Sequence, residues 1–219
     1  MKVGTDGVLL GAWTPVHLPV DHLPFTVLDV GTGSGLVALM IAQRCPDAHI
    51  DAIDIDESAV EQAKENFELS AFSRHLSAFK ASLQEWQGEY DLVVSNPPYF
   101  QNSLKNPDEG RKAARHTDTL SYTELIKHSA RLLREDGQLA LILPAEAETE
   151  IRQLAAAEDL YLARATRVYS KESKPARRVL LTFSHFPLSH SIVEDTLILE
   201  DEKGGRSLPY QELCKEFYL

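Results

Sequence analysis

Two short segments carry residue types arranged for chemistry. The first is Asn96-Pro97-Pro98-Tyr99, which follows the β-forming run Asp91-Leu92-Val93-Val94-Ser95. Proline cannot donate to a sheet ladder, so the strand must end there. What remains is a side-chain carbonyl at Asn96 and a backbone carbonyl at Pro97, both on a stiff strand exit. Two such acceptors can take the two hydrogens of a planar amine and turn its delocalised lone pair toward an electrophile. Tyr99 adds a flat face on which a base can stack. Alone, the tetrapeptide reads equally as a turn; its place downstream of the second segment gives it weight.

That second segment is Leu28-Asp29-Val30-Gly31-Thr32-Gly33-Ser34-Gly35. Glycines are needed where the chain turns sharply and where a ligand approaches too closely for a Cβ. A nicotinamide fingerprint would place its third glycine at 36, where this chain has Leu36. Asp29, ahead of the loop, repels a pyrophosphate and suits a cationic amine or sulfonium. Asp54 lies 25 residues after Asp29, at the end of the next apolar run. A carboxylate there can accept both hydroxyls of a ribose. Asp51, Asp56 and Glu57 are close enough in sequence that any of the four could simply be solvated. The segment resembles the cofactor loop of class I S-adenosylmethionine-dependent methyltransferases. That resemblance implies a Rossmann-like fold and S-adenosyl-L-methionine as donor, with S-adenosyl-L-homocysteine as product. Asp29, Gly31, Thr32, Gly33, Gly35, Asp54 and Asn96 are the cofactor candidates, with Ile55, Ser82 and Leu83. Members of this class often carry an aspartate after the third strand, where this chain has Ser82. The methyl group on a sulfonium is already activated, so positioning supplies most of the rate and no metal is expected.

These residues need a frame. Apolar runs at 25–30, 49–54, 76–81, 90–95, 137–143, 160–168 and 178–185 read as strands. Helical spacing over 36–44, 57–69, 121–133 and 146–157 alternates with them. Strand 196–200, a turn at Lys203-Gly204-Gly205 and a helix from about Tyr210 finish the chain. The alternation predicts an α/β fold: a mostly parallel seven-stranded sheet, helices on both faces, and a small C-terminal β/α appendage. We expect one domain over 1–219. Within it, 1–24 is a segment covering the cofactor, 97–118 a lid or substrate loop, and 187–219 a C-terminal extension.

The opening Met1-Lys2-Val3-Gly4-Thr5-Asp6-Gly7-Val8-Leu9-Leu10-Gly11-Ala12-Trp13 narrows the resemblance. With the glycine loop, Asn-Pro-Pro-Tyr, Ala114-Arg115-His116 and the closing Phe217-Tyr218-Leu219, the chain resembles the bacterial tRNA(Val) adenine-N6 methyltransferases along nearly its whole length. The resemblance implies methylation of adenine 37, beside the anticodon. It also implies that Thr5, Asp6 and Gly7 help to cover the methionine end of the cofactor. Members of that family carry a further stretch ahead of the Met-Lys-Val block.

A net charge of −11 at first argues against a nucleic-acid partner, but it hides two basic islands. Residues 101–134 hold seven Lys and Arg against four acidic residues, and 161–180 hold six against one. Local patches can grip phosphates whatever the total. Lys105, Arg111, Lys112, Arg115 and His116 in the first island, and Lys171, Lys174, Arg177 and Arg178 in the second, are the RNA-contact candidates. The base must be splayed out of its loop to reach Asn96. The alternatives are a glutamine amide of a protein, a guanine in rRNA, or a cofactor-binding RNA module without catalysis. The basic islands weigh against the first, and the intact Asn-Pro-Pro-Tyr against the last. Two cysteines without metal or disulfide spacing, and no apolar run near the ~20 residues of a membrane span, lead us to expect a cytoplasmic enzyme with no metal and no membrane partner.

Overall fold

A computed structural model describes residues 4–16, 24–98, 120–187 and 192–217. Eight strands form one sheet in the order β3-β2-β1-β4-β5-β7-β6-β8. They are β1 (Thr26–Val30), β2 (His49–Asp54), β3 (Leu76–Lys80), β4 (Tyr90–Ser95), β5 (Leu133–Pro144), β6 (Tyr161–Tyr169), β7 (Ala176–Ser184) and β8 (Val193–Ile198). Strands β1 to β5 run parallel, and β7 is antiparallel to both β5 and β6. Strand β8 pairs in parallel with β6. The sheet therefore has eight strands where the sequence predicts seven. The strand expected in the appendage starts earlier and extends the sheet, because an exposed β6 edge would leave backbone groups unpaired.

Helices α1 (Thr5–Trp13), α2 (Leu36–Arg44), α3 (Glu57–Glu68) and α6 (Leu208–Cys214) bury their apolar sides with one face of the sheet. Helices α4 (Tyr122–Leu132) and α5 (Glu148–Ala157) cover the other. Three of the six described α-helices start on a side-chain cap. Asp56 caps α3 by accepting from the Ser58 amide, and Ser121 with Glu124 forms a complete capping box on α4. Strand β5 begins directly after α4, and its pairing with β4 jumps from Leu133 opposite Tyr90 to Gln138 opposite Leu92. The Glu135-Asp136-Gly137 bulge between them is the turn signal that places the strand start later in the sequence reading.

Helix α1 is the element the sequence does not announce. Its residues Gly7 to Trp13 are all buried. An apolar residue at every position erases the period that marks an amphipathic helix. It lies close on α2 because Gly7 and Gly11 present no side chain. A Cβ on Gly11 would sit 2.8 Å from the Met40 Cβ. Its C-terminal end is held by Arg44, whose guanidinium donates to the carbonyls of Gly11 (2.9 Å) and Thr14 (2.7 Å). A cation at that end also complements the helix dipole. Trp13 adds a buried bond from its indole N–H to the Thr166 hydroxyl on β6 at 2.8 Å.

Candidate active site

The glycine turn follows β1 and opens α2. Gly31, Gly33 and Gly35 all have positive φ, at +70°, +58° and +78°. Gly35 is doubly constrained, since a Cβ there would lie 2.4 Å from the Phe67 ring. A Cβ on Gly31 would instead meet nothing within 4 Å among the described residues, so the turn presents its bare backbone there. The amides of Gly31 and Thr32 donate to the Ile53 carbonyl at 2.9 and 3.1 Å, fastening the turn to β2.

Two carboxylates brace this turn. Asp29 is buried on β1, and its carboxylate accepts from the Thr32 hydroxyl at 2.7 Å and from the Ala38 amide. The second bond satisfies an amide in the first turn of α2, which has no side-chain cap of its own. Burial pushes the Asp29 carboxyl up to about 6, although Thr32 and Ala38 pull against it; the nearby Asp54 charge raises it further. Asp54 is half-buried at the end of β2 and accepts from the amides of Gly33 and Asp56, both at 3.0 Å. An ionised carboxylate has about four lone-pair directions, so room remains for hydroxyl donors.

Asn96 follows β4, the neighbour of β1. The two strands pair in parallel with Val30 opposite Ser95. The Ser95 hydroxyl then donates to the Val30 carbonyl at 2.8 Å and locks the ends together. Gly31 and Asn96 are thus the next residues on adjacent strands. Asn96 is half-buried, Pro97 buried and Pro98 exposed. Tyr99 lies outside the described residues, as do Lys105, Arg111, Lys112, Arg115 and His116.

The remaining candidates sort by element. Ile55 is exposed after β2; Ser82 is half-buried after β3, and Leu83 is buried beside it. Thr5, Asp6 and Gly7 form the first turn of α1, with Gly7 against Leu36, immediately after the glycine turn. The second basic island runs from β6 across its turn into β7, with Lys171 and Lys174 in the turn and Arg177 and Arg178 at the start of β7. Since Arg178 pairs with Pro144 at the end of β5, and β5 runs parallel to β4, that turn and Asn96 share one edge of the sheet. Within the island, Arg178 donates from Nε to Asp6 at 2.9 Å and Lys171 lies 3.3 Å from Glu200. Lys174 and Arg177 are exposed and form no ion pair among the described residues. Sequence reasoning did not single out Ser95, Arg44 or Thr166. A serine at the end of the apolar β4 run was a signal for the first; Arg44 and Thr166 gain their roles only by approaching α1.

A mostly parallel sheet with a bare glycine turn beside a strand-end Asn-Pro-Pro defines a methyltransferase of the Rossmann-like α/β class. The family model described as "Methyltransferase small domain" matches residues 16–157. Among solved structures, a predicted O-methyltransferase from Agrobacterium tumefaciens superposes with a TM-score of 0.71 at 19% identity, covering 96% of each chain. A relative from Flavobacterium johnsoniae named tRNA1(Val) (adenine(37)-N6)-methyltransferase is 44% identical over all of this chain and 93% of its own. Relatives of the same name from Parabacteroides distasonis (44%) and Bacteroides fragilis (41%) also match all of this chain and 91% of their own. The chain belongs to this family of methyltransferases. Among the described residues no helix is long and apolar enough to cross a membrane.

Proposed function

We propose that this chain transfers a methyl group from S-adenosylmethionine to the exocyclic N6 amine of adenine 37 in tRNA(Val). The observation that carries the proposal is the register of β1 and β4, which makes the glycine turn and Asn96 immediate neighbours. The residues present fit the donor. Gly31 leaves open the space that a ligand must fill, and Asp54 offers a half-buried carboxylate to ribose hydroxyls beside it. Ile55, Ser82 and Leu83 would flank the adenine, and Thr5 to Gly7 would cover the methionine end. Asp29 is buried; it holds Thr32 and the start of α2 in place and would add a negative charge close to a bound sulfonium. The donor supplies an electrophilic methyl group on positive sulfur.

The chain's own work is then orientation. The Asn96 side-chain carbonyl and the Pro97 carbonyl accept the two amine hydrogens, which aims the nitrogen lone pair at the methyl group. Pro97 has no N–H and restricts its neighbours, so the exit cannot relax toward a competing partner. Tyr99 would stack on the base. The protein acts as one unit over 1–219, with 97–118 as the substrate loop. Lys174 and Arg177, at the same sheet edge, are the second-island cations available to phosphates; Lys105, Arg111, Lys112, Arg115 and His116 would add the contacts nearest the flipped base.

Incubating the protein with labelled donor and total tRNA, followed by nucleoside mass spectrometry, tests the proposal. N6-methyladenosine at position 37 of tRNA(Val) is expected. Label on a protein amide or on guanine, with none on adenine, would replace it.

A further inference from the structure

We infer that Asp6 and Arg178 are a positioning pair that sets the first turn of α1 over the donor site, and that Arg178 does not act as a separate phosphate contact. The inference rests on the proposed donor site and deepens it. Arg178 donates from Nε to the Asp6 carboxylate at 2.9 Å, and from Nη1 to the Arg177 carbonyl at 2.9 Å. One planar guanidinium therefore ties α1 to the start of β7. The two side chains are only 28% and 21% exposed, so solvent screens this pair less than an ordinary surface pair.

The rest of α1 shows why this bond matters. The far end is held three ways, by the two Arg44 bonds and by Trp13 on Thr166. Among the described residues, the near end starts on Gly4 with no side-chain cap bond. Asp6 is the acidic residue of that first turn, where a negative charge suits the helix dipole, and Arg178 holds it from the sheet. Gly7, the next residue, rests on Leu36 one position beyond Gly35. A shift of this turn would therefore be felt by the Leu36 side chain at the start of α2, which follows the glycine turn.

The test is a double-mutant cycle on donor affinity, read by calorimetry with S-adenosylmethionine and the full chain, without RNA. Asp6→Asn and Arg178→Gln are each expected to weaken donor binding about three- to tenfold. Because the bond is lost only once, the double variant should bind no more weakly than the poorer single. Arg178→Lys keeps the cation but not the fork, and should fall between wild type and Arg178→Gln. Thermal melting confirms that each variant is folded at the titration temperature; if Arg178→Gln is not, Arg178→Lys carries the cycle. Losses that multiply in the double variant would overturn the inference. So would wild-type donor affinity in Asp6→Asn, or an Arg178 effect confined to tRNA binding. Failure of the tRNA reading shows separately, as no methyl group in tRNA, and does not enter a cycle measured without RNA.

Discussion

Asn96 stands at the point where β4 can no longer pair, and its amide is the side-chain acceptor proposed for the amine. Asn96→Ala is expected to lower methyl transfer by on the order of 10²-fold or more, because the nucleophile loses its orientation. Donor affinity, measured separately by calorimetry, should change by only a few-fold. Wild-type turnover in this variant would remove the mechanism. Asp29 allows a second prediction. Its carboxyl is raised from 3.8 to about 6, chiefly by burial. The folded protein therefore holds this proton more tightly than the unfolded chain does. The associated stability is fully present below about pH 4 and is lost as pH rises through about 6. A cation seated over the turn favours the ionised form instead. Donor affinity should then rise between about pH 5 and about pH 7, and Asp29→Asn should flatten that rise. Calorimetric titrations of both proteins across this range decide the matter.

At the scale of elements, α1 and the glycine turn depend on missing side chains. Alanine is favoured over glycine inside a helix by about 1 kcal/mol. At Gly11 that gain meets a Cβ contact of 2.8 Å with Met40. Overpacking of this kind costs about 1–3 kcal/mol, so Gly11→Ala should be destabilising on balance. Urea unfolding measures the sign. Gly35→Ala should cost more, since it adds a positive φ of +78° to a 2.4 Å contact with Phe67. The helices that carry a polar face, such as α4 with its Ser121–Glu124 box, are legible from periodicity and caps. Helix α1 is not, because burial of Gly7 to Trp13 on every side leaves no polar stripe to mark it.

For the molecule as a whole, the charge distribution matters more than the total of −11. Arg164 pairs with Asp195, Arg167 with Glu148 and Glu194, Lys171 with Glu200 and Arg178 with Asp6. Much of the second basic island is thus neutralised by partners distant in sequence. Lys174, in the β6–β7 turn, and Arg177, exposed at the start of β7, are the candidates to neutralise phosphates. Replacing either by Ala should weaken tRNA binding across sequences and reduce the slope of log affinity against log salt by about 1. Lys171→Ala should change that slope less. Equal slopes for all three variants would show that the pairs seen here do not decide which cations meet RNA.

The chain alone determined the chemistry on offer: glycines at 31, 33 and 35, carboxylates at 29 and 54, and acceptors at 96 and 97. These rest on local rules of backbone freedom, strand termination and residue type, which act over a few positions. Tertiary structure decided which of these groups stay open at the end of the sheet and which brace one another. Asp29 is drawn beneath the turn to hold Thr32, and Arg178 is drawn off the basic island to hold Asp6. Asp6 and Arg178 lie 172 positions apart in sequence. Such a pairing follows from strand order and register, which arise only when the whole sheet is assembled.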